Sequence, residues 1–375
     1  MEVELPPEPA STPESAPDST PASAAAPPLA AQPVPDTPPL ADRRTGLLIF
    51  GVIQILLGLL SALMVPLAAL GAFMSRLAPG GAMRPGQYIS GIATYVFIAA
   101  ALLTLGIGSV QMKRWARALT VVTSWYWLIL GVLITILLTA VLPVTMRSAL
   151  AQAQQQSGAN PASPEITTGV MAVILTVIIV FLAFFFVLVP IAFVVFYSRK
   201  DVAETCRRRD PVERWTDRTP LPVLGASVAF FTGSLYMLLV GVTTPLFPFF
   251  GRYLTGIGGA ACFVVLAALD MYLAIALFRL QSSGWWIAVI AAPVRLLSMV
   301  LTFGKADLMQ AYSKVGFSDA QLNTLNSNPM FRSHVILWWS LISLVVFLGY
   351  LLWLKRYFTT PASRPQADPL PAQAV

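Results

Sequence analysis

The sequence predicts an all-α integral membrane protein with eight transmembrane helices, arranged as two tandem four-helix repeats of parallel orientation. Composition gives the first indication, because 57% of the residues are hydrophobic and only 11% are charged, whereas a soluble domain is about 25% charged. The hydrophobic residues also lie in long runs, and a helix of about 20 apolar residues spans a hydrocarbon core roughly 30 Å thick. In addition, short motifs and loop lengths recur between the two halves of the chain.

Eight apolar runs are long enough to cross a bilayer. They cover residues 47–74, 88–111, 118–143, 168–196, 221–248, 255–278, 285–303 and 335–354. Each run is predicted to be helical, because backbone N–H and C=O groups cannot be left without hydrogen bonds in lipid. Prolines inside several runs do not contradict this prediction, since neighbouring helices can supply partners for the carbonyl groups that a proline frees.

Both ends of the chain differ in composition from the apolar runs. Residues 1–40 contain 12 prolines among alanine, serine, threonine and scattered acidic residues. Such a segment cannot bury enough apolar surface to offset the entropy that it would lose on ordering. We therefore predict a disordered cytoplasmic tail over residues 1–43 and a second one over residues 359–375, where the Pro/Ala composition returns.

Two similar motifs indicate an internal duplication. The stretch RTGLLIFG at 44–51 and the stretch RTPLPVLG at 218–225 have Arg, Thr, Leu and Gly at the same positions. Each motif begins a block of four runs, in which six residues join the second and third runs and a long loop joins the third and fourth. The sequence therefore predicts two four-helix membrane repeats, residues 44–197 and 218–358. Because each has an even number of spans, both should run in the same direction, with their symmetry axis along the membrane normal.

The distribution of Lys and Arg predicts the orientation. With the N-terminus inside, the inner segments carry 16 basic residues and the outer loops carry 7, and cytoplasmic loops are the ones enriched in Lys and Arg. We therefore expect a multi-pass protein of the plasma (inner) membrane with both termini in the cytoplasm. This topology also accounts for the net charge of +7. With no basic recognition helix or RNA-binding motif in the sequence, we expect no nucleic-acid partner.

Asp270 is the only acidic residue inside a predicted span, and Arg295 in the next span is the only basic one. Asp270 lies nine residues before Arg279, and Arg295 lies ten residues after Trp285. Both therefore sit roughly 14–15 Å from the inner interface, near the bilayer centre. Small residues flank both positions, and an unpaired charge at that depth costs several kcal/mol. We predict that the two side chains form an intramembrane ion pair.

Three roles are open for these two residues. They could fix the sixth and seventh helices in register, they could serve transport or a proton relay, or their side chains could fail to meet. The first half has Leu102 and Trp125 at the roughly corresponding positions, which would confine any chemistry to the second half. In the first span, Gln54 is a lone amide, and we expect it to make an interhelical polar contact.

The segment between the repeats, residues 198–217, is expected to be a charged cytoplasmic linker. Its residues Arg207, Arg208, Arg209 and Trp215 are candidates for contact with anionic lipid headgroups or with a cytoplasmic protein partner. The alternative is a solvated linker whose alternating charges interact only with one another and with water. Because Cys206 lies in this polar stretch, we expect an exposed thiol whose arginine neighbours favour the thiolate.

The sequence carries no recognisable catalytic motif. It has one histidine and two cysteines, which leaves no basis for a Cys-based metal site or a disulfide framework, and it lacks a P-loop and a Gly-x-Ser-x-Gly elbow. We therefore expect a protein that is not an enzyme and that holds no cofactor or metal.

The functional prediction is a scaffold or accessory subunit, in contact with the lipid bilayer and with a cytoplasmic or membrane protein partner. The alternative is a small-solute or proton-linked transporter with a midplane site at Asp270 and Arg295.

Overall fold

The computed structural model describes residues 41–77, 85–157, 164–317, 319–327 and 333–359. Among these residues, eight helices are long and apolar enough to cross a membrane: Arg44–Met74, Tyr88–Val110, Arg114–Pro143, Ala172–Tyr197, Leu221–Thr243, Gly256–Phe278, Ser282–Lys305 and Val335–Phe358. Each predicted run corresponds to one of them, which confirms the eight spans and indicates a multi-pass membrane protein. The predicted tails, 1–43 and 359–375, lie outside the described residues except for residues 41–43 and Thr359.

The first half of the bundle consists of five helices. They are α1 Arg44–Leu77, α2 Pro85–Val110, α3 Arg114–Ser157, α4 Pro164–Ala183 and α5 Val189–Tyr197. A π-helical turn, Phe184–Leu188, joins α4 and α5 into one continuous span. Pro190 explains this turn, because its ring lacks an N–H and would clash with the carbonyl four residues earlier, that of Phe186. The Phe186 carbonyl lies against Gly131 of α3, where an added Cβ would be 2.0 Å from the Phe186 oxygen.

A folded segment, rather than a solvated linker, lies between the halves. It contains helix α6, Lys200–Arg209, and a 3₁₀ turn, Trp215–Asp217. Val202, Thr205 and Cys206 are buried at helical spacing on one face of α6, and the helix packs against α1, α3 and α5. The expectation of an exposed thiol is therefore wrong. Cys206 is 1% exposed, and burial raises the pKa of its thiol to about 11.

The second half has four spans and several short elements. The spans are α7 Leu221–Thr243, α8 Gly256–Phe278, α9 Ser282–Lys305 and α12 Ser333–Leu354. The short helices are α10 Leu308–Lys314, α11 Asp319–Ser327 and α13 Arg356–Thr359. Between α7 and α8, strands β1 Leu246–Phe249 and β2 Arg252–Thr255 pair in antiparallel register. The described residues are thus mostly helical, as predicted, but they include a β-hairpin that the all-α prediction did not contain.

This β-hairpin shortens the fifth span, whose apolar run continues to residue 248 in the sequence but whose helix ends at Thr243. Prolines in the stretch remove helix hydrogen-bond donors. The hairpin turn has positive φ at both central residues, 39° at Phe250 and 99° at Gly251, as a two-residue type I′ turn requires. Side chains of α9 hold this turn, since the Phe250 N–H donates to Ser298 Oγ and the Gly251 N–H donates to Thr302 Oγ1, both at 3.1 Å.

Two helix-to-helix turns have the same geometry. Met112 between α2 and α3 and Leu280 between α8 and α9 both have a φ of 56°, a left-handed conformation that residues other than glycine rarely adopt. In each turn, the N–H of the following residue donates to a carbonyl five residues back at 2.9 Å. This bond closes a helix C-terminus in a Schellman-type motif.

The helices joined by these turns approach closely at one glycine each. A Cβ added to Gly108 would lie 2.6 Å from the Cβ of Ala116, and a Cβ added to Gly284 would lie 2.5 Å from the Cβ of Ala276. The members of the second pair follow those of the first by 168 positions. Each turn therefore has one glycine and one alanine at the same two places, but their order is exchanged.

Helix α7 connects the two halves. It packs against α8 and α12 in its own half and against α2 and α3 in the other. Leu224 of α7 is buried together with Ala118 and Val122 of α3, and the Tyr126 hydroxyl of α3 donates a hydrogen bond to the Gly225 carbonyl at 2.9 Å. The eight spans therefore belong to one packed unit.

Candidate functional site

Asp270 lies on the buried face of α8, the face that packs against α7. Ala267 and Ala274 precede and follow it on the same face, about one turn away on each side. Small side chains at these positions let the two helix backbones approach closely. As a result Asp270 is 3% exposed, although it carries the only carboxylate among the described spans.

Arg295 of α9 reaches this carboxylate and binds it with two parallel hydrogen bonds. Its Nη2 donates to Asp270 Oδ1 at 2.5 Å, and its Nη1 donates to Asp270 Oδ2 at 3.2 Å. This fork geometry is the strongest arrangement of an arginine and a carboxylate, because both oxygens receive a charged donor. The structure thus brings together the two charged residues that the sequence placed at the same depth.

Helix α7 closes the other side of the carboxylate. Gly233 lies beside it, with a position for Cβ that would be 3.9 Å from Asp270 Oδ2. The hydroxyls of Ser227 and Ser234 donate to the carbonyls of Ala274 and Ala267 respectively, both at 2.7 Å. These two bonds hold α7 to α8 just above and just below the ion pair.

Sequence reasoning missed the two serines. Their spacing was the signal that could have found them, because residues seven positions apart lie on the same face of a helix after about two turns. A serine in an apolar helix usually bonds its own backbone four residues earlier, so only the tertiary contact with α8 identifies Ser227 and Ser234 as interhelical donors.

The guanidinium of Arg295 is less enclosed than its partner. Its side chain is 33% exposed, against 4% for the side chain of Asp270, and its Nε has no hydrogen-bond partner among the described residues. The positive member of the pair therefore lies at the edge of the bundle, while the negative member lies inside.

The first half has a weaker polar contact between its helices. Gln54 of α1 is buried, and its Nε2 donates to Thr120 Oγ1 of α3 at 3.4 Å, while its Oε1 has no partner in the described part of the chain. The matched turns align Asp270 with Leu102, as the sequence suggested, but they align Arg295 with Trp127 rather than with Trp125. In the first half, the two positions that correspond to the ion pair are therefore occupied by apolar side chains.

The basic residues of the inner segment lie on the outside of α6 and the adjoining turn. Arg207 and Arg208 have side chains that are 68% and 56% exposed, and both contact Glu204, at 3.7 Å and 3.2 Å. Arg209 is also exposed. Trp215 is 49% exposed and contacts the ring of Phe278 at the end of α8. These four candidate contact residues thus remain accessible, although the helix that carries most of them is packed against the bundle.

A second ion pair fixes the segment between α6 and α7. Asp210 receives hydrogen bonds from Arg214 Nη2 at 2.8 Å and from Arg214 Nε at 3.1 Å. These bonds from Arg214 hold the pKa of Asp210 below its usual range, with a further contribution from the Arg114 backbone N–H. Arg114 also contacts Asp217 at 3.2 Å, so the beginning of α3 is tied to this segment at two points.

Comparison of the chain with protein-family models, with curated proteins and with solved structures found no match. The candidate functional regions are therefore the two charged ones, the ion pair inside the bundle and the basic surface of α6.

Proposed function

We propose that this protein is a membrane scaffold or accessory subunit, and that the Asp270–Arg295 ion pair acts as a structural brace between α8 and α9. The observation that carries this proposal is the closed geometry of the pair. Both carboxylate oxygens are occupied by Arg295, and the side chain of Asp270 is 4% exposed. A carboxylate that takes up a proton or a solute needs access to water, whereas a brace needs fixed partners.

The energetics of a buried pair fit a brace. Removing one partner of a buried ion pair costs about 3–5 kcal/mol, because the remaining charge is left without compensation, whereas replacing both partners is often close to neutral. At mid-depth in a bilayer the penalty for a lone Arg or Asp is of similar size. The pair therefore favours the one register of α8 and α9 in which the two side chains meet.

We further propose that the bundle arose by duplication of a four-helix unit, as two tandem repeats in parallel orientation. The shared motifs at 44–51 and 218–225 support this proposal. The left-handed turns at Met112 and Leu280 and the exchanged glycine–alanine pairs, 168 positions apart, support it as well. On this proposal the first repeat is 44–197, and the second, 218–358, later acquired its charged pair.

The surface that this scaffold would offer to a partner is the exposed side of α6. Arg207, Arg208, Arg209 and Trp215 lie on it. The excess of Lys and Arg at this end of the bundle supports a cytoplasmic location for it, and for both termini, in the plasma (inner) membrane. A cytoplasmic protein with an acidic surface would complement it.

Single and double substitutions of the pair test the proposed brace. Asp270→Asn and Arg295→Gln should each lower the free energy of unfolding in mild detergent by about 3–5 kcal/mol, and the double variant should recover much of that loss. Asp201→Asn with Arg43→Gln is the matched control, because those side chains are 25% and 41% exposed and an exposed pair contributes about 1 kcal/mol or less.

One observation favours the alternative, a small-solute or proton-linked transporter. The side chain of Arg295 is 33% exposed, so one side of the pair is not covered by the described residues, although its Nε, which has no partner among them, is itself buried. For the proton-linked case, the purified protein in liposomes would carry protons down an imposed gradient, read by a pH-sensitive dye. Flux that disappears in Asp270→Asn while the unfolding free energy stays at the wild-type value would overturn the brace.

A further inference from the structure

A cavity of about 160 Å³ lies where the beginning of α3, one edge of α6 and the turn Trp215–Asp217 meet. Its lining includes Arg114 and Leu221, the first residues of the third and fifth spans. The cavity therefore lies at the level where lipid headgroups begin. This region is distinct from the Asp270–Arg295 pair. Arg207 belongs both to the cavity lining and to the partner surface proposed for α6, whereas Thr216 belongs to the cavity alone.

The lining of this cavity is strongly basic. Three arginines contribute to it, Arg114, Arg117 and Arg207, against a single carboxylate, Asp217, which leaves two net positive charges. Asp217 is already engaged by Arg114 at 3.2 Å.

The other two arginines, Arg117 and Arg207, have N–H groups that make no hydrogen bond to the described residues. Arg117 uses its Nε to bind the Tyr197 carbonyl at 3.1 Å, and its remaining N–H groups have no partner among the described residues. Arg207 is 68% exposed and is held only by the 3.7 Å contact with Glu204. Two guanidinium groups therefore have donors left for a further acceptor.

Thr216 supplies an independent sign that a ligand belongs in this cavity. It lines the cavity and is 2% exposed, and its hydroxyl has no hydrogen-bond partner in the described part of the chain. Leaving a buried hydroxyl unsatisfied costs about 1–3 kcal/mol, and an acceptor or donor bound in the cavity, such as a water molecule or an ion, would remove this cost.

We propose that this cavity binds a phosphate group, taken either from the headgroup of a membrane lipid or from free phosphate. A phosphate monoester carries a charge of about −1.5 to −2 near neutral pH and three strong acceptor oxygens. That charge matches the two net positive charges of the lining. Its oxygens can receive the remaining N–H groups of Arg117 and Arg207, since arginine suits planar, bidentate recognition of phosphate, and the hydroxyl of Thr216.

The occupant also compensates like charge. Arg117 and Arg207 line one small cavity together with the buried thiol of Cys206, so two positive side chains lie at the same cavity. An anion placed there screens their repulsion. For the same reason the site should prefer a dianionic phosphate monoester to the monoanionic phosphodiester of phosphatidylcholine.

The experiment measures the unfolding temperature of the full chain with two probes. The first probe is inorganic phosphate added to the protein in a neutral detergent, with chloride at equal ionic strength as the reference. The second is reconstitution in nanodiscs of phosphatidylcholine alone or with added phosphatidic acid, which carries a phosphate monoester. A ligand that binds only the folded state raises the unfolding temperature in a saturable way.

Two variants and one control identify the site. Thr216→Val removes only the hydroxyl and should stabilise the ligand-free protein, because it removes an unsatisfied group, while weakening phosphate binding about tenfold. Arg207→Gln should weaken binding about tenfold or more without affecting the buried core. Arg208→Gln is the matched control, since Arg208 is 56% exposed on the same helix but does not line the cavity.

The outcomes distinguish a site for free phosphate, a site for a lipid headgroup, and no phosphate site. A saturable response to inorganic phosphate that Thr216→Val and Arg207→Gln weaken, and Arg208→Gln preserves, supports a site for free phosphate. The same pattern seen only with phosphatidic acid supports a lipid headgroup site. An absence of response to both probes, or an equal loss in all three variants, overturns the proposal, because the second result would reflect the general charge of α6.

Discussion

The two halves of the bundle share their helix-to-helix turns, but they are held together at different depths. In the first half, most polar contacts between elements gather at the end that carries α6. Ser109 forms a short hydrogen bond with the Tyr197 hydroxyl, Arg117 binds the Tyr197 carbonyl, and the Arg43 N–H donates to Thr205 Oγ1 at 3.1 Å. This half is therefore held together mainly near the interface, through side chains of which Ser109, Tyr197 and Thr205 are themselves buried.

In the second half, polar contacts extend through the full depth. Thr219 donates to the Phe278 carbonyl at the α6 end, the Asp270–Arg295 pair lies in the middle, and the hydroxyls of Ser298 and Thr302 bind the β-hairpin at the opposite end. Helices α7 and α8, with Thr219 just before α7 and Asp270 in the middle of α8, approach each other closely. In α7 and α8, 39% of the most apolar stretch of each helix is buried, against 17% in α1 and 22% in α2.

The comparison teaches that one helical framework can be stabilised in two ways. Polar contacts inside lipid require small residues that bring backbones together, and the second half has glycine, alanine and serine at those places. In the first half, α1 and α2 also approach closely, at Gly51, Gly58 and Gly106, but no charged pair lies between their described residues, and a folded helix, α6, supports this half from outside the spans. Three experiments would break or sharpen this comparison.

The largest effect is expected at Gly131, which has no room for a side chain. An added Cβ would lie 2.0 Å from the Phe186 carbonyl oxygen. Because this oxygen belongs to the backbone and not to a flexible side chain, Gly131→Ala should cost about 3 kcal/mol or more. Gly71→Ala in α1 is the control, since nothing lies within 4 Å of its Cβ position. Denaturation in mild detergent measures both. Equal stability of the two variants would mean that α3 and the π turn do not pack as described.

A smaller effect is expected from exchanging the glycine and alanine of one turn. Gly108→Ala should cost about 1–3 kcal/mol by overpacking, and adding Ala116→Gly should restore most of the stability, because the double variant has the arrangement that Ala276 and Gly284 have in the second half. Denaturation in mild detergent measures the free energy of unfolding of the single and the double variant. If the second substitution adds to the loss instead, the two turns are not equivalent and the proposed duplication loses its structural support.

The smallest effect concerns pH and the ionic contacts beside α6. Because Arg214 lowers the pKa of Asp210 in the folded protein, this carboxylate stabilises the fold above the unfolded pKa of about 3.9 and loses its contribution as pH falls from there through the folded pKa. Unfolding temperatures followed from neutral to strongly acidic pH should therefore fall more for the wild type than for Asp210→Asn. Asp319→Asn, an exposed position of α11, is the control. Identical profiles for wild type and Asp210→Asn would show that this contact is not a stabilising one.

The sequence predicted more of the fold than of its contacts. The eight spans follow from length and hydropathy alone, and the depth of Asp270 and Arg295 follows from counting residues along two helices. The sequence did not predict the packing of α6, because its buried residues, Val202, Thr205 and Cys206, lie among charged residues and extend over only about one helical turn. It also did not predict the hairpin, since an apolar run that contains prolines does not reveal where a helix stops and a strand begins.

By itself, the sequence determined that the chain lies in a membrane, how many times it crosses, and which two charges lie at the same depth. These properties depend on the cost of exposing backbone polar groups and charges to hydrocarbon, a cost that each segment incurs alone. Only the tertiary structure decided that Arg295 binds both carboxylate oxygens of Asp270, and that Ser227 and Ser234 donate hydrogen bonds to α8 on either side of this pair. It also placed the hydroxyl of Thr216, without a partner among the described residues, beside a basic cavity. Those contacts depend on which helix faces stand opposite each other, and this is settled by packing between segments distant in the chain.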